Sequence, residues 1–176
     1  MKLWLDYLRL KDNPDIDSNL PSFFNALITW VKAHRRLISD GMLIESGLLH
    51  IMDIDPAKYG VELSQQSLND AKNRLFYEKP IGVNSLLSKI YFELLDLLST
   101  PDSKNRSCPI CDQGGLVYVV IAGAENHEIF LQCDHYCLAH SYLFEIDTLS
   151  KVEWPKGFAT IPANKEQIFK RLHIST

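Results

Sequence analysis

The chain contains four cysteines, Cys108, Cys111, Cys133 and Cys137, and all of them fall in one short stretch. They form two close pairs, C-x2-C and C-x3-C, with 21 residues between the pairs. Two cysteines so close can both reach one ion from a tight turn, and a second turn alongside completes a tetrahedral set. The intervening residues must fold back on themselves to bring the turns together. The spacing therefore predicts a structural zinc site and an antiparallel hairpin between its halves. The N-terminus, MKLWLDYLRLKD, breaks its apolar residues with Asp6 and Arg9 and does not read as a signal peptide. Paired cysteines then read as metal ligands in a reducing cytoplasm and not as disulfides.

The residues around the cysteines support that hairpin. Residues 116–122 are rich in Val and Ile and read as a strand, 123–126 as a turn, and 128–132 as the return strand. Residues 141–147 alternate and read as a third strand. Cys108-Pro109-Ile110-Cys111, a hairpin, a second cysteine turn and a third strand together resemble the zinc-ribbon family over residues 106–147. The resemblance implies a zinc ion held by Cys108, Cys111, Cys133 and Cys137, with a folding role and no catalytic one. Two departures stand out: the second pair is C-x3-C, and Asp112 and Leu138 follow the knuckles where glycine is common. His135 and His140 are close enough to compete, so three cysteines with one histidine is an alternative ligand set.

Residues 1–104 read as a mainly helical domain and 105–176 as the ribbon domain with a C-terminal helix. The expected fold class is α+β, a helical N-terminal part packed against a three-stranded antiparallel ribbon. Residues 1–11 suit a helix or a strand. Pro21 suits the first turn of a helix running to about Ser39, with Phe24, Leu27, Ile28, Val31, His34, Leu37 and Ile38 on one stripe and Asp40-Gly41 as its stop. Residues 42–54 are ambiguous, and Ser46-Gly47 predicts a short hairpin there. Ser64 or Ser67 caps a helix carrying Leu68, Ala71, Leu75 and Phe76. Ser85 opens a further helix with Leu86, Leu87, Ile90, Tyr91, Leu94, Leu95 and Leu98. Residues 100–106 are polar and read as the boundary. Trp154-Pro155 and Ile161-Pro162 read as loops. Asn164 with Gln167 predicts a reciprocal cap on a terminal helix.

Charge excludes some functions and favours others. Residues 1–104 carry 12 Lys/Arg against 14 Asp/Glu, and residues 105–176 carry 6 against 8. A phosphate-binding surface needs a local excess of cations. The two small basic clusters, Lys32/Arg35/Arg36 and Lys170/Arg171, read as solvated helix faces. No apolar run approaches the ~20 residues of a membrane-crossing helix. His127-Glu128 lacks the second histidine of a metalloprotease motif, and no phosphate-cradling glycine loop or nucleophile elbow is present. Asp53 and Asp55 read as turn acids. The expected protein is a non-enzymatic cytoplasmic binding module that takes another protein as its partner. In size and acidity it resembles the inhibitor or immunity proteins that neutralise a partner toxin, which implies a basic toxin domain as that partner. The alternative is a nucleic-acid-binding ribbon of the transcription or RNA machinery.

Overall fold

A computed structural model describes residues 2–17, 19–59, 65–77, 79–112, 114–124, 128–133, 142–153 and 159–172. Among these the protein is α+β, with six α-helices and one five-stranded antiparallel sheet. The chain divides into two compact units, residues 1–57 with 61–97, and residues 58–60 with 98–176.

The first unit is helical: α1 (Lys2–Leu8), α2 (Leu20–Ala33), α3 (Asp40–Ser46), α4 (Gln65–Tyr77) and α5 (Val83–Leu98), with short 3-10 turns between. The N-terminal segment is helix and not strand. Asn19 starts α2 by accepting the Ser22 N–H at 3.0 Å, and Pro21 lies in the first turn, where no N–H is needed. Phe23, Phe24, Leu27, Ile28 and Val31 are buried. Tyr7 of α1 packs against Trp30 of α2 and Phe76 of α4, which knits three helices together.

Three expectations in this unit are corrected. α2 ends at Ala33, well short of Ser39, because His34 leaves the helical conformation and its Nδ1–H donates to the Trp30 carbonyl at 2.8 Å. Leu37 therefore falls off the buried stripe and is 60% exposed. Asp40-Gly41 is a start and not a stop: the Ser39 hydroxyl accepts the Met42 N–H at 3.3 Å and opens α3, whose first two residues are Asp40 and Gly41. Residues 42–54 accordingly hold most of α3 and a 3-10 turn at Leu48–His50, not a hairpin. Gly47 ends α3 in the left-handed conformation (φ 81°), the usual helix stop. Of the two expected caps for α4, Ser64 lies outside the described residues and Ser67 falls inside the helix, as its third residue.

The second unit is built on β1 (Leu116–Ile121), β2 (Ile129–Cys133), β3 (Tyr142–Phe144), β4 (Lys151–Glu153) and β5 (Thr160–Pro162), in the order β4-β3-β2-β1-β5. The three expected strands are there, but the sheet has five, not three. β5 replaces the loop read at Ile161-Pro162. It pairs Ile161 with Val120 and Pro162 with Val119 at a sheet edge, where proline's missing N–H costs no ladder bond. β4 follows a tight turn in which Leu149 takes φ 55°. Helix α6 (Lys165–Leu172) opens on the predicted reciprocal cap: Asn164 Oδ1 accepts the Gln167 N–H, and Gln167 Oε1 accepts the Asn164 N–H, both at 2.9 Å.

The sheet buries apolar residues on both faces, as the unbroken apolar run of β1 requires. One cluster holds Leu116, Tyr118, Val120, Ile129, Leu131, Phe144 and Ile146 with Ile168 of α6. The opposite one holds Val119, Phe130 and Leu143.

Candidate metal centre

The first cysteine pair sits on the turn that leads into β1. The Asp112 N–H donates to the Cys108 carbonyl and the Cys108 N–H to the Gly114 carbonyl, both at 2.9 Å. Asp112 takes the left-handed conformation (φ 53°). That is the geometric reason glycine is common after such a pair, and Asp is among the few other residues that tolerate it. Cys133 ends β2, and the register of β1 on β2 places it directly opposite Leu116. The hairpin thus carries Cys133 back beside the first pair.

The outcome is a cluster of three thiols. The Sγ atoms of Cys108, Cys111 and Cys133 all lie within 4.8 Å of one another. Cys108 and Cys133 are buried in the sheet's apolar cluster, and Cys111 is partly exposed at its rim. None of the three is in a disulfide. The Cys111 and Cys133 sulfurs are 3.7 Å apart. That is far beyond the ~2.05 Å of a disulfide. It matches the ~3.8 Å edge of a tetrahedron built on ~2.3 Å zinc–sulfur bonds. The donor set can hold a soft or borderline metal ion. Cys137, with the alternative ligands His135 and His140, lies outside the described residues.

A second constellation beside this cluster escaped the sequence reading. Asp102 and Arg106, just before Cys108, form an ion pair with a nearly solvent-free carboxylate. Arg106 Nε and Nη2 donate to Asp102 Oδ2 and Oδ1 at 2.8 and 3.0 Å, and Nη1 donates to the Ile146 carbonyl at 2.6 Å. The Tyr118 hydroxyl donates to Asp102 Oδ1 at 3.1 Å and accepts the Ser103 N–H at 3.1 Å. Backbone bonds add to this: Asp102 N–H to Leu116 O at 2.7 Å and Tyr118 N–H to Thr100 O at 3.0 Å. Burial alone would raise the Asp102 carboxyl. The hydrogen bonds of Arg106 and Tyr118, with the guanidinium charge, outweigh it and hold the group below the usual carboxylate range. The network fixes the segment ahead of Cys108 to β1 and to the chain just after β3. Its sequence signal is the i, i+4 spacing of an acid and an arginine, which does not announce burial.

Lys32, Arg35 and Arg171 of the basic clusters, and the discounted acids Asp53 and Asp55, are engaged locally. Lys32 bonds Asp53, Arg35 bonds Asp40, and Arg171 bonds Asp147. Asp55 Oδ1 accepts the Ala57 N–H at 3.1 Å, the turn role read for it. His34 bridges Trp30 and Asp6, as a packed edge histidine does, and His50 is exposed. No helix among the described residues is long and apolar enough to cross a membrane.

Compared with known proteins, the chain matches no protein-family model, no curated protein and no solved structure.

Proposed function

We propose that this protein is a non-enzymatic, cytoplasmic protein-binding module whose second unit is stiffened by one structural zinc ion on a zinc-ribbon-like hairpin. Cys108, Cys111, Cys133 and Cys137 are its ligands. The observation that carries the reading is the convergence of three thiols from two chain segments, with one sulfur pair at the spacing of a zinc tetrahedron. A set of four thiolates leaves no coordination position for water or substrate, so such an ion organises a surface and activates nothing. Elemental analysis is expected to return one zinc per chain, lost in the Cys133→Ser variant. Cobalt loaded in place of zinc is expected to give the intense visible bands of a tetrahedral thiolate set. Less than a tenth of an equivalent of any transition metal in protein purified under reducing conditions refutes the reading.

The partner we infer is a basic protein, of the kind an inhibitor or immunity protein neutralises. Net acidity in both halves of the chain supports it, as do the exposed acids Asp12 and Asp15. Opposed charge speeds encounter and rewards a basic face. The pairing of Lys32, Arg35 and Arg171 with carboxylates favours this partner over a nucleic acid. Tagged protein in native lysate is expected to retain one basic protein at low salt and release it at high salt. Retention of nuclease-sensitive nucleic acid instead would reverse the choice.

A further inference from the structure

We infer that the cysteine cluster is also an oxidation site with one specific product, a disulfide between Cys111 and Cys133. The inference rests on the metal-centre reading for the thiolate state of these sulfurs. Three observations direct it. Cys111 is the partly exposed member of the cluster, on a turn whose Pro109, Ile110 and Asp112 are exposed, Ile110 by 45%. Cys108 is fully buried and Cys133 nearly so, which withholds both from a solvent-borne oxidant. The Cys133 sulfur lies 3.7 Å from that of Cys111.

A small peroxide supplies the oxidising equivalents. The Cys111 thiolate attacks one peroxide oxygen; the O–O bond breaks, an S–O bond forms, and hydroxide leaves. Cys111 is then a sulfenic acid. The Cys133 thiolate attacks the Cys111 sulfur; the S–S bond forms, the S–O bond breaks, and a second hydroxide leaves. Two electrons pass from two thiolates to one peroxide. Cys111 and Cys133 are both withdrawn as ligands, so the metal is given up to solvent. The new bond joins the same two chain segments that the ion joined and closes a loop over the β1–β2 hairpin, where a crosslink restrains the unfolded chain. The oxidised unit therefore keeps its fold, and a dithiol reductant with added zinc reverses the change.

The competing products are distinguishable in the natural chain. No Lys or Arg lies between residues 107 and 150, so trypsin leaves all four cysteines on one peptide. Cleavage before Asp112 and Asp134 separates Cys108 with Cys111, Cys133, and Cys137 onto three peptides. Metal content is measured first on full-length protein, which is then treated with a stoichiometric pulse of hydrogen peroxide. Metal release is followed with a chromogenic chelator, and the blocked, unreduced digest is mapped by tandem mass spectrometry. The expected result is metal release in step with a 111–133 linkage at least threefold above any other, retained in Cys137→Ser. Dominance of a Cys108–Cys111 or Cys137 linkage, or over-oxidised Cys111 with no linkage, overturns the inference. A metal-free starting protein instead overturns the metal reading, and the linkage map still decides this one.

Discussion

Arg106 and Asp102 meet as a two-point pair: Nε on one carboxylate oxygen at 2.8 Å and Nη2 on the other at 3.0 Å, with the carboxylate side chain 1% exposed and the arginine 18%. Four residues apart, they close a turn that points the chain toward Cys108. Breaking such a pair from one side leaves an uncompensated buried charge. Arg106→Met is expected to destabilise the second unit by about 3 kcal/mol, at the lower end of the range for buried pairs. Tyr118→Phe, which removes one neutral donor to the same carboxylate, is expected to cost about 1 kcal/mol. Urea titrations of the two variants beside the natural protein test the order. Equal losses would mean that the charge contributes nothing beyond its hydrogen bonds.

The same carboxylate sets an acid limit. Its folded-state pKa is depressed, so its contribution is fully present above the ordinary value of about 4 and is lost as pH falls through the folded value. The natural protein is expected to lose stability steadily on acidification below about pH 4. Asp102→Asn begins less stable at neutral pH and shows a shallower fall, because the protonation it removes is the one that drives the slope. Parallel melting temperatures from pH 7 to 3 check this. Identical slopes would locate the acid sensitivity elsewhere, for example at Asp147, which Arg171 also holds below the usual range.

Much of this fold was legible where the signal is local. Asn164 and Gln167 form their cap because both partners lie within three residues. The cysteine spacing works the same way, since two ligands on one turn need no knowledge of the rest of the chain. What escaped is set by distant residues. Ile161-Pro162 is a strand because β1 offers an edge, and three residues are too few to show a period. Ser39 looks the same at the end of one helix as at the start of the next, until His34 breaks the first. Asp102 reads as a solvated acid in a polar linker, and only Tyr118 and Ile146, far along the chain, make it a buried one. The site was half legible for this reason: the first cysteine pair is local, but the approach of Cys133 to Cys111 depends on the β1–β2 register.

Metal removal should act on the second unit and spare the first. A structural zinc contributes on the order of 10 kcal/mol to a fold that assembles its ligands. The Asp102 network and a five-stranded sheet give this unit support beyond the proposed ion. Chelation is expected to lower its melting temperature by ten degrees or more, roughly the shift that several kcal/mol produces in a domain this size. Amide exchange is expected to quicken across β1 and β2, while α2 and α5 stay protected. Uniform loss of protection through both units would show that they unfold as one.

Gly47 offers a test of the helical unit alone. Its backbone sits at φ 81°, and a Cβ placed there would lie 2.6 Å from Tyr91 Cζ and 2.9 Å from both neighbouring ring carbons. Two separate costs follow from adding one methyl group. The left-handed backbone disfavours any side chain by about 1 kcal/mol, and the overlap forces the Tyr91 ring off its position at a further cost of about 1–3 kcal/mol. Gly47→Ala is expected to lose about 2–4 kcal/mol in total. The double variant Gly47→Ala/Tyr91→Leu separates the two, because a shorter side chain relieves the overlap and leaves the backbone term. It should be less destabilised than the sum of its single variants, and that non-additivity is the signature of direct contact. Additive losses in a denaturant cycle would mean that Tyr91 does not close over Gly47 in solution, and that α3 and α5 meet through other residues.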